Sequence, residues 1–341
     1  MNAIIAAPLS SLDPGRSIQA MPLAPPLASR TRAHRAGLKR RLDHLYRTFD
    51  RGFLDTDPLA FVHRYADDAD REIVGFLAST LAFGNVRAIQ ASVAGVLEVI
   101  GPSPRARVDR FDPRTDGAAF ASLYHRWIRG SDIAALLLVL RRMREDAGSI
   151  GGFFMKGYRP EHEDVGAALT SFSERAREIA AGIPAPRSGP ADAGPPAVSR
   201  AARAPGEGRR PSVASFFASP RDGSACKRLN LYLRWMVRDG DGLDLGLWRG
   251  VSRRQLVLPL DTHLVRLARA LGLSCRRTPG WKMAVEATRS LALLDPGDPV
   301  KYDFSLSRLG ILDRCLHGRD ALACRACPIK IRVRRAPRQA E

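Results

Sequence analysis

The sequence predicts an all-α protein. Apolar residues recur at steps of three and four along most of the chain, and glycine, proline or asparagine closes the segments they mark. No series of alternating apolar and polar residues supports a sheet. The chain has 341 residues, 45% of them hydrophobic, enough for two modest domains or one helical domain with disordered additions.

The elements follow in order. Residues 1–30 are rich in Pro, Ala and Ser, lack periodicity, and are expected to be disordered. A first helical lobe is expected over 31–183. Leu38, Leu42, Leu45 and Phe49 share one helix face; Ile73, Phe76, Leu77, Thr80 and Leu81 share another, with Gly84 and Asn85 as its stop residues. Val86 to Ile100 reads as a helix closed by Gly101 and Pro102. Ser131 is the expected N-cap of the helix carrying Ile133, Leu136, Leu137, Leu140 and Met143, and a further helix runs from Val165 to Ile183.

Residues 184–212 hold mostly Pro, Ala, Gly, Ser and Arg and are expected to be a disordered linker or loop. A second helical lobe is expected over 213–312. It has helices over Ala225–Val237 and Thr262–Leu271, the latter stopped by Gly272. Another follows Pro279-Gly280, and a last one is expected to have Asp298 as N-cap and Pro299 as first residue. Gln255 to Leu258 could be extended. Residues 313–341 are expected to form a cysteine-containing loop and a basic tail.

Charge gives the first functional direction. The formal net charge is +19, and so large an excess attracts polyanions, of which nucleic acid is the commonest in a cytoplasm. The alternative is that the excess lies in the basic terminal segments and is incidental. No apolar stretch approaches the ~20 residues that span a bilayer. No Lys or Arg precedes Arg16, which argues against a secretory signal. A cytoplasmic monomer is expected. Lysine occurs only at 39, 156, 227, 282, 301 and 330, so a remaining lysine is more readily needed as an amine, since a guanidinium stays protonated.

Two segments carry candidate chemistry. In Ser219-Pro-Arg-Asp-Gly-Ser-Ala-Cys-Lys227, a glycine and small residues feed a helix, so amides around Gly223, Ser224 and Ala225 could hold a phosphate, with Arg228 beside them. Loop–glycine–helix junctions also occur with no such role. In Leu258-Pro-Leu-Asp261-Thr-His263, Asp261 stands at a helix start, where it would cap the helix. Cys315, Cys324 and Cys327 cluster near the C-terminus. Three thiolates fall short of the four an iron–sulfur cluster usually takes, and His317 could complete a Cys₃His zinc site; free thiols are the alternative.

These segments resemble the helix-hairpin-helix DNA glycosylases. The Pro-Leu-Asp-Thr-His run matches the segment that carries the catalytic Asp of that superfamily, and Lys227 falls where its bifunctional members carry a nucleophilic Lys. Gly223 matches the first hairpin glycine and Ala225 replaces the second. The spacing between Lys227 and Asp261 exceeds that of endonuclease III-like enzymes and is similar to archaeal 8-oxoguanine glycosylases. Asp70-Arg-Glu-Ile-Val-Gly75, Phe83-Gly-Asn-Val86, Arg228 to Arg238 and Asp298 to Phe304 resemble an uncharacterised bacterial family related to the superfamily.

The resemblance implies a two-lobed helical fold with a cleft between the lobes, and a base-excision glycosylase and abasic-site lyase with Lys227 and Asp261 as catalytic residues. Gly223, Ser224, Ala225, Arg228 and His263 would face DNA, His263 in a structural rather than a catalytic role. The three cysteines would occupy the place of the superfamily's iron–sulfur loop. Two other readings stand beside it: a non-catalytic nucleic-acid-binding protein that keeps the fold, and a helical scaffold whose basic character is incidental.

Overall fold

Thr31 opens the first helix, its Oγ1 accepting from the His34 amide at 3.2 Å, and α1 (Arg32–Thr48) then turns Leu38, Leu42 and Leu45 inward. A computed structural model describes residues 24–183, 213–311 and 329. Among them nearly all the regular secondary structure is helical, in agreement with the all-α expectation. After α1 come a short α2 (Leu59–Val62), α3 (Asp68–Leu81), α4 (Val86–Ile100) and α5 (Pro104–Arg110). A tight hairpin, β1 (Tyr124–His125) and β2 (Ile128–Arg129), separates these from α6 (Gly130–Ala147), α7 (Ile150–Met155) and α8 (Gly166–Ala181). The chain continues with α9 (Lys227–Val237), α10 (Thr262–Leu271), α11 (Trp281–Ala292) and α12 (Asp303–Ile311).

Local signals explain most boundaries and correct several expectations. Asp67 caps α3 through Oδ1, which accepts from Ala69 and Asp70, both at 3.0 Å. Asn85 does not stop that helix but starts the next, accepting from the Arg87 amide at 2.9 Å. Ser131 lies inside the first turn of α6. The side chain that closes that end is Asp132, which accepts from the Arg129 amide at 2.8 Å. Asp298 is not the cap of α12, which begins only at Asp303; its carboxylate instead holds the buried Arg238. Of the stretch Gln255 to Leu258, Gln255 closes a short 3₁₀ turn and Leu256 is extended (φ −63°, ψ 147°), with no strand pairing.

Residues 24–30, expected to be disordered, are instead seated on the fold. Leu27 is fully buried, its amide donating to the Gly272 carbonyl at 2.8 Å, while the Ala24 amide donates to Arg269 at 3.2 Å. Gly272, with φ of +72°, closes α10 against this segment, where a Cβ would lie 2.2 Å from the Pro25 carbonyl oxygen. The disorder expected for residues 1–23 and 184–212 lies outside the described residues.

The two expected lobes share one continuous apolar core. Its seam is α3 against α9, and Gly75 lets the helices close: a Cβ there would stand 2.6 Å from Met236 Cε. Around the seam Phe76 meets Tyr232 edge-on at 5.1 Å, and Phe154 stacks on Trp248 at 5.4 Å. Glu72, buried on α3, joins the first half to the second: it accepts from the amides of Ile150 (2.9 Å) and Gly151 (2.6 Å) and from Trp248 Nε1 (2.9 Å). Burial raises its pKa, and these three donors oppose the rise.

Two arginines, Arg234 within α9 and Arg238 at its C-terminal cap, are buried among apolar residues. Arg234 bonds Asp244 and Asp303, and Arg238 bonds Asp241, Asp244 and Asp298. Guanidinium groups this far from water need several carboxylates in place at once, and the network ties α9, the loop after it and α12 into one body.

Candidate active-site pocket

A pocket of about 570 Å³ opens where the C-terminal end of α3, the N-terminal ends of α9 and α10, and α12 converge. Lys227, Asp261 and His263 all line it, so the fold unites the two segments singled out in the sequence. Apolar walls come from residues such as Ile89, Leu231, Leu260 and Phe304. A mostly apolar pocket with a few convergent polar groups is the usual form of a small-ligand site.

Lys227 is the first residue of α9, entered through Cys226 in the left-handed region (φ +48°). Its Nζ donates to the Ala82 carbonyl, 2.6 Å away, at the C-terminal end of α3, where helix carbonyls lack intrahelical donors. Burial lowers the amine's pKa; the carboxylates of Asp261, Asp303 and Asp57 oppose the shift without cancelling it, and Arg228 adds to it. The thiol of Cys226, buried beside it, has its pKa pushed up to about 12 by that burial, so it is not a thiolate.

Asp261 caps α10, Oδ1 accepting from the Leu264 amide at 2.8 Å, while its residue lines the pocket. Capping and pocket roles therefore coincide in one carboxylate. Nearby, Asp303 is buried at 2% exposure and also lines the pocket. Its Oδ2 accepts from Arg234 Nη1, and its Oδ1, although buried, has no hydrogen-bond partner among the described residues. Burial raises its pKa to about 6, against the pull of Arg234. Lys301, two positions earlier, does not pair with Asp303 but with Asp295 at 2.5 Å and Asp43 at 3.4 Å.

The mouth is aromatic and basic. The β1–β2 hairpin turns through Arg126 at φ +56°, in the left-handed region where side chains other than glycine are strained. It presents Trp127, which is 44% exposed and packs on Phe83 with ring centroids 4.4 Å apart. Arg126 lies over both rings, at 6.0 Å from Phe83 and 5.8 Å from Trp127. His125 anchors the hairpin through Ser92 Oγ (2.9 Å) and the Phe83 carbonyl (3.0 Å).

Other expected contacts are placed differently. Gly223, at φ +75°, follows a 3₁₀ turn over Pro220–Asp222 rather than a helix, so the segment is not a regular helix-hairpin-helix. Its amide donates to Pro220 (2.9 Å) and its carbonyl accepts from Trp281 (3.0 Å). Ser224 Oγ accepts from the Cys226 amide at 3.2 Å, and the Ala225 carbonyl accepts from Asn230. Of the amides expected to form a cradle at Gly223 to Ala225, that of Gly223 is thus taken up within its own turn. Arg228 does not reach outward: it donates to the carbonyls of Thr80 (3.2 Å) and Ser215 (3.1 Å) and lies over Phe83.

Cys315, Cys324 and Cys327 lie outside the described residues, as does His317. Among the described residues no group of three or more His, Cys, Asp or Glu side chains is arranged to hold a metal ion, and no helix is long and apolar enough to cross a membrane.

Sequence reasoning missed Asp57, Arg126, Trp127, Arg234 and Arg308 as pocket residues. One signal was present. Arg234 and Arg238, four apart on a helix otherwise rich in Leu, Trp and Met, share a face and demand buried acids. The hairpin tip gave none, because strands of two residues have no readable period.

A family model described as a protein of unknown function (DUF2400) matches residues 57–312. No curated protein and no solved structure matches the chain.

Proposed function

The chain belongs to the DUF2400 family, and from its pocket we propose that it is a cytoplasmic DNA glycosylase with an abasic-site lyase step. One observation carries the reading: a lysine amine with a burial-lowered pKa shares an apolar-walled pocket with the carboxylate of Asp261. A pocket this size admits a single base turned out of the stack, since the glycosidic bond is inaccessible within it.

The chemistry follows from those two groups. As the base departs with the glycosidic electron pair and takes up a proton, positive charge develops on the sugar, and Asp261 stabilises it. The unprotonated Lys227 amine attacks the anomeric carbon, forming the carbon–nitrogen bond as the glycosidic bond breaks. Opening of the sugar ring gives a protonated imine. Loss of a proton from the adjacent carbon then expels the 3′-phosphate and nicks the strand. To reach the sugar, the amine must leave the Ala82 carbonyl.

Borohydride trapping on abasic-site DNA tests the proposal. A covalent adduct that forms with the wild-type chain and not with Lys227→Gln supports it. No Lys227-dependent adduct, on abasic DNA or on a panel of damaged bases, overturns the lyase. Base excision retained in Lys227→Gln would indicate a monofunctional glycosylase.

A second reading, a nucleic-acid-binding protein without catalysis, is favoured by a specific feature. Asp261 and Lys227 both hold structural bonds, to the Leu264 amide and the Ala82 carbonyl. It predicts a salt-sensitive gel shift with no trapped adduct.

A further inference from the structure

The β1–β2 hairpin sets one exposed ring at the mouth of the pocket and holds it there. Trp127 is 44% exposed and packs on Phe83 with ring centroids 4.4 Å apart and planes 30° from parallel; both residues line the pocket. Phe83 is fixed in turn by the edge of the His125 ring at 4.7 Å. Arg126 is nearly equidistant from the two centroids, at 6.0 and 5.8 Å, so its guanidinium flanks the pair and does not cover the outer face of Trp127. Gly84, at φ +102°, makes room for that guanidinium: a Cβ there would stand 3.1 Å from Arg126 Nη1. No ion pair holds Arg126 among the described residues.

A tryptophan already packed on one side has one face to offer. It cannot intercalate between two bases, which takes two free faces; it can end a stack. A base inside a duplex has both faces taken by its neighbours, whereas a base in a single strand gains from a flat aromatic partner whatever its sequence. A strand also brings phosphates, which suit a chain of net charge +19 and the guanidinium beside the ring. We propose that Trp127 is a stacking shelf for an unpaired base of a DNA strand, the neighbour of the base that enters the pocket. The chain then favours single-stranded over duplex DNA by the worth of that stack. A second copy of the chain is the poorer occupant. Trp127 and Tyr124, the exposed rings of the hairpin, together leave about 200 Å² to cover, against the roughly 800 Å² per partner of a stable interface.

The shelf rests on DNA as the partner, which the glycosylase reading and the non-catalytic reading share, and its test needs no reaction. The probes are three dye-labelled ligands: an oligothymidylate of about 12 nucleotides, the same phosphodiester strand with every base removed, and the oligothymidylate annealed to its complement. Fluorescence anisotropy with the full chain, at one fixed low salt concentration, compares them. The wild-type chain is expected to bind the base-bearing strand about tenfold more tightly than the base-free one, whose phosphates are the same. Trp127→Ala is expected to remove that difference while leaving duplex affinity unchanged. Trp127→Phe, which keeps a flat ring, is expected to retain most of it. Tyr124→Ala, on the same hairpin at 52% exposure but outside the pocket lining, is expected to behave as wild type.

Equal affinity of the wild-type chain for the strand with and without bases overturns the shelf, and so does failure to bind the base-bearing strand at all. That comparison is made in the wild-type chain, so a poorly folded variant leaves it intact. A difference that survives Trp127→Ala in full, or that Tyr124→Ala removes as completely, also overturns it, as does a duplex affinity that falls with the single-strand affinity. Lys227-dependent trapping without a preference for the base-bearing strand sinks the shelf alone. The preference without trapping sinks the lyase alone.

Discussion

The amine of Lys227 rests on the carbonyl of Ala82, at 2.6 Å, rather than on a carboxylate. Ala82 closes α3, so the side chain ties the N-terminal end of α9 to the C-terminal end of the helix packed against it. No ion pair joins Lys227 to an acid among the described residues, although Asp261 and Asp303 line the same pocket.

That arrangement leaves a stability signature. Burial holds the amine below its ordinary 10.5. Between its folded-state pKa and 10.5 the unfolded chain binds more protons than the folded one, so stability rises with pH across that interval. Lys227→Met removes the titration and the desolvation cost together. Urea unfolding is expected to show the variant about 1 kcal/mol more stable at neutral pH, the gain shrinking as pH approaches 10.5. A variant less stable at every pH would mean that the bond to Ala82 outweighs the cost of burying the amine.

The pocket's mouth should contribute stacking. Trp127→Ala is expected to weaken binding to single-stranded DNA by about 1–3 kcal/mol without changing its salt dependence. Arg126→Ala should instead lower the salt slope by about one, the signature of one lost phosphate contact. Fluorescence titrations at several salt concentrations separate the two, and an unchanged affinity in Trp127→Ala would remove the hairpin from the binding surface.

Two carboxylates, Asp303 in the pocket and Asp43 on α1, should titrate in opposite directions. Asp303, raised by burial to about 6, binds a proton more tightly folded than unfolded; its contribution to stability is full below 3.8 and is lost as pH rises through about 6. Asp43 behaves oppositely: burial raises it, but hydrogen bonds from Lys39 and Tyr302 and the charge of Lys301 prevail and hold it below 3.8. Its contribution is present above 3.8 and is lost as pH falls through the lowered value. Carboxyl-carbon NMR should resolve the two, and Arg234→Met should move the Asp303 midpoint upward. A midpoint for Asp303 near 4 would show that water reaches it freely.

Glu72 provides a purely structural test. Glu72→Leu leaves the Ile150 and Gly151 amides and Trp248 Nε1 buried without an acceptor, and about 3 kcal/mol or more of stability should be lost. Glu72→Gln, which keeps one acceptor oxygen, should lose less. Thermal unfolding of the three proteins orders them, and equal losses would mean that side-chain shape rather than hydrogen bonding matters at this position.

The helices were legible because their signals are local. The apolar stripe of α1, the start of α4 at Val86 and the stop of α10 at Gly272 each depend on residues a few positions apart, which sequence displays directly. Asp261 was legible as a residue at a helix start and Lys227 was singled out only by resemblance; that both line one pocket is a result of the fold. What the sequence could not determine is which polar groups lose water. Ser131 and Asp298 look like caps by the same local rule as Asp67, yet Asp298 is drawn to Arg238, 60 positions away along the chain. Arg228 looks like a phosphate contact but satisfies the carbonyls of Thr80 and Ser215. Asp303 carries no local sign of burial in the sequence, yet it is buried against Arg234. Local backbone preference set the helices; only the packing of α3, α9 and α12 against one another decided which charges are desolvated, and desolvation is what turns a lysine or an aspartate into a reactive group.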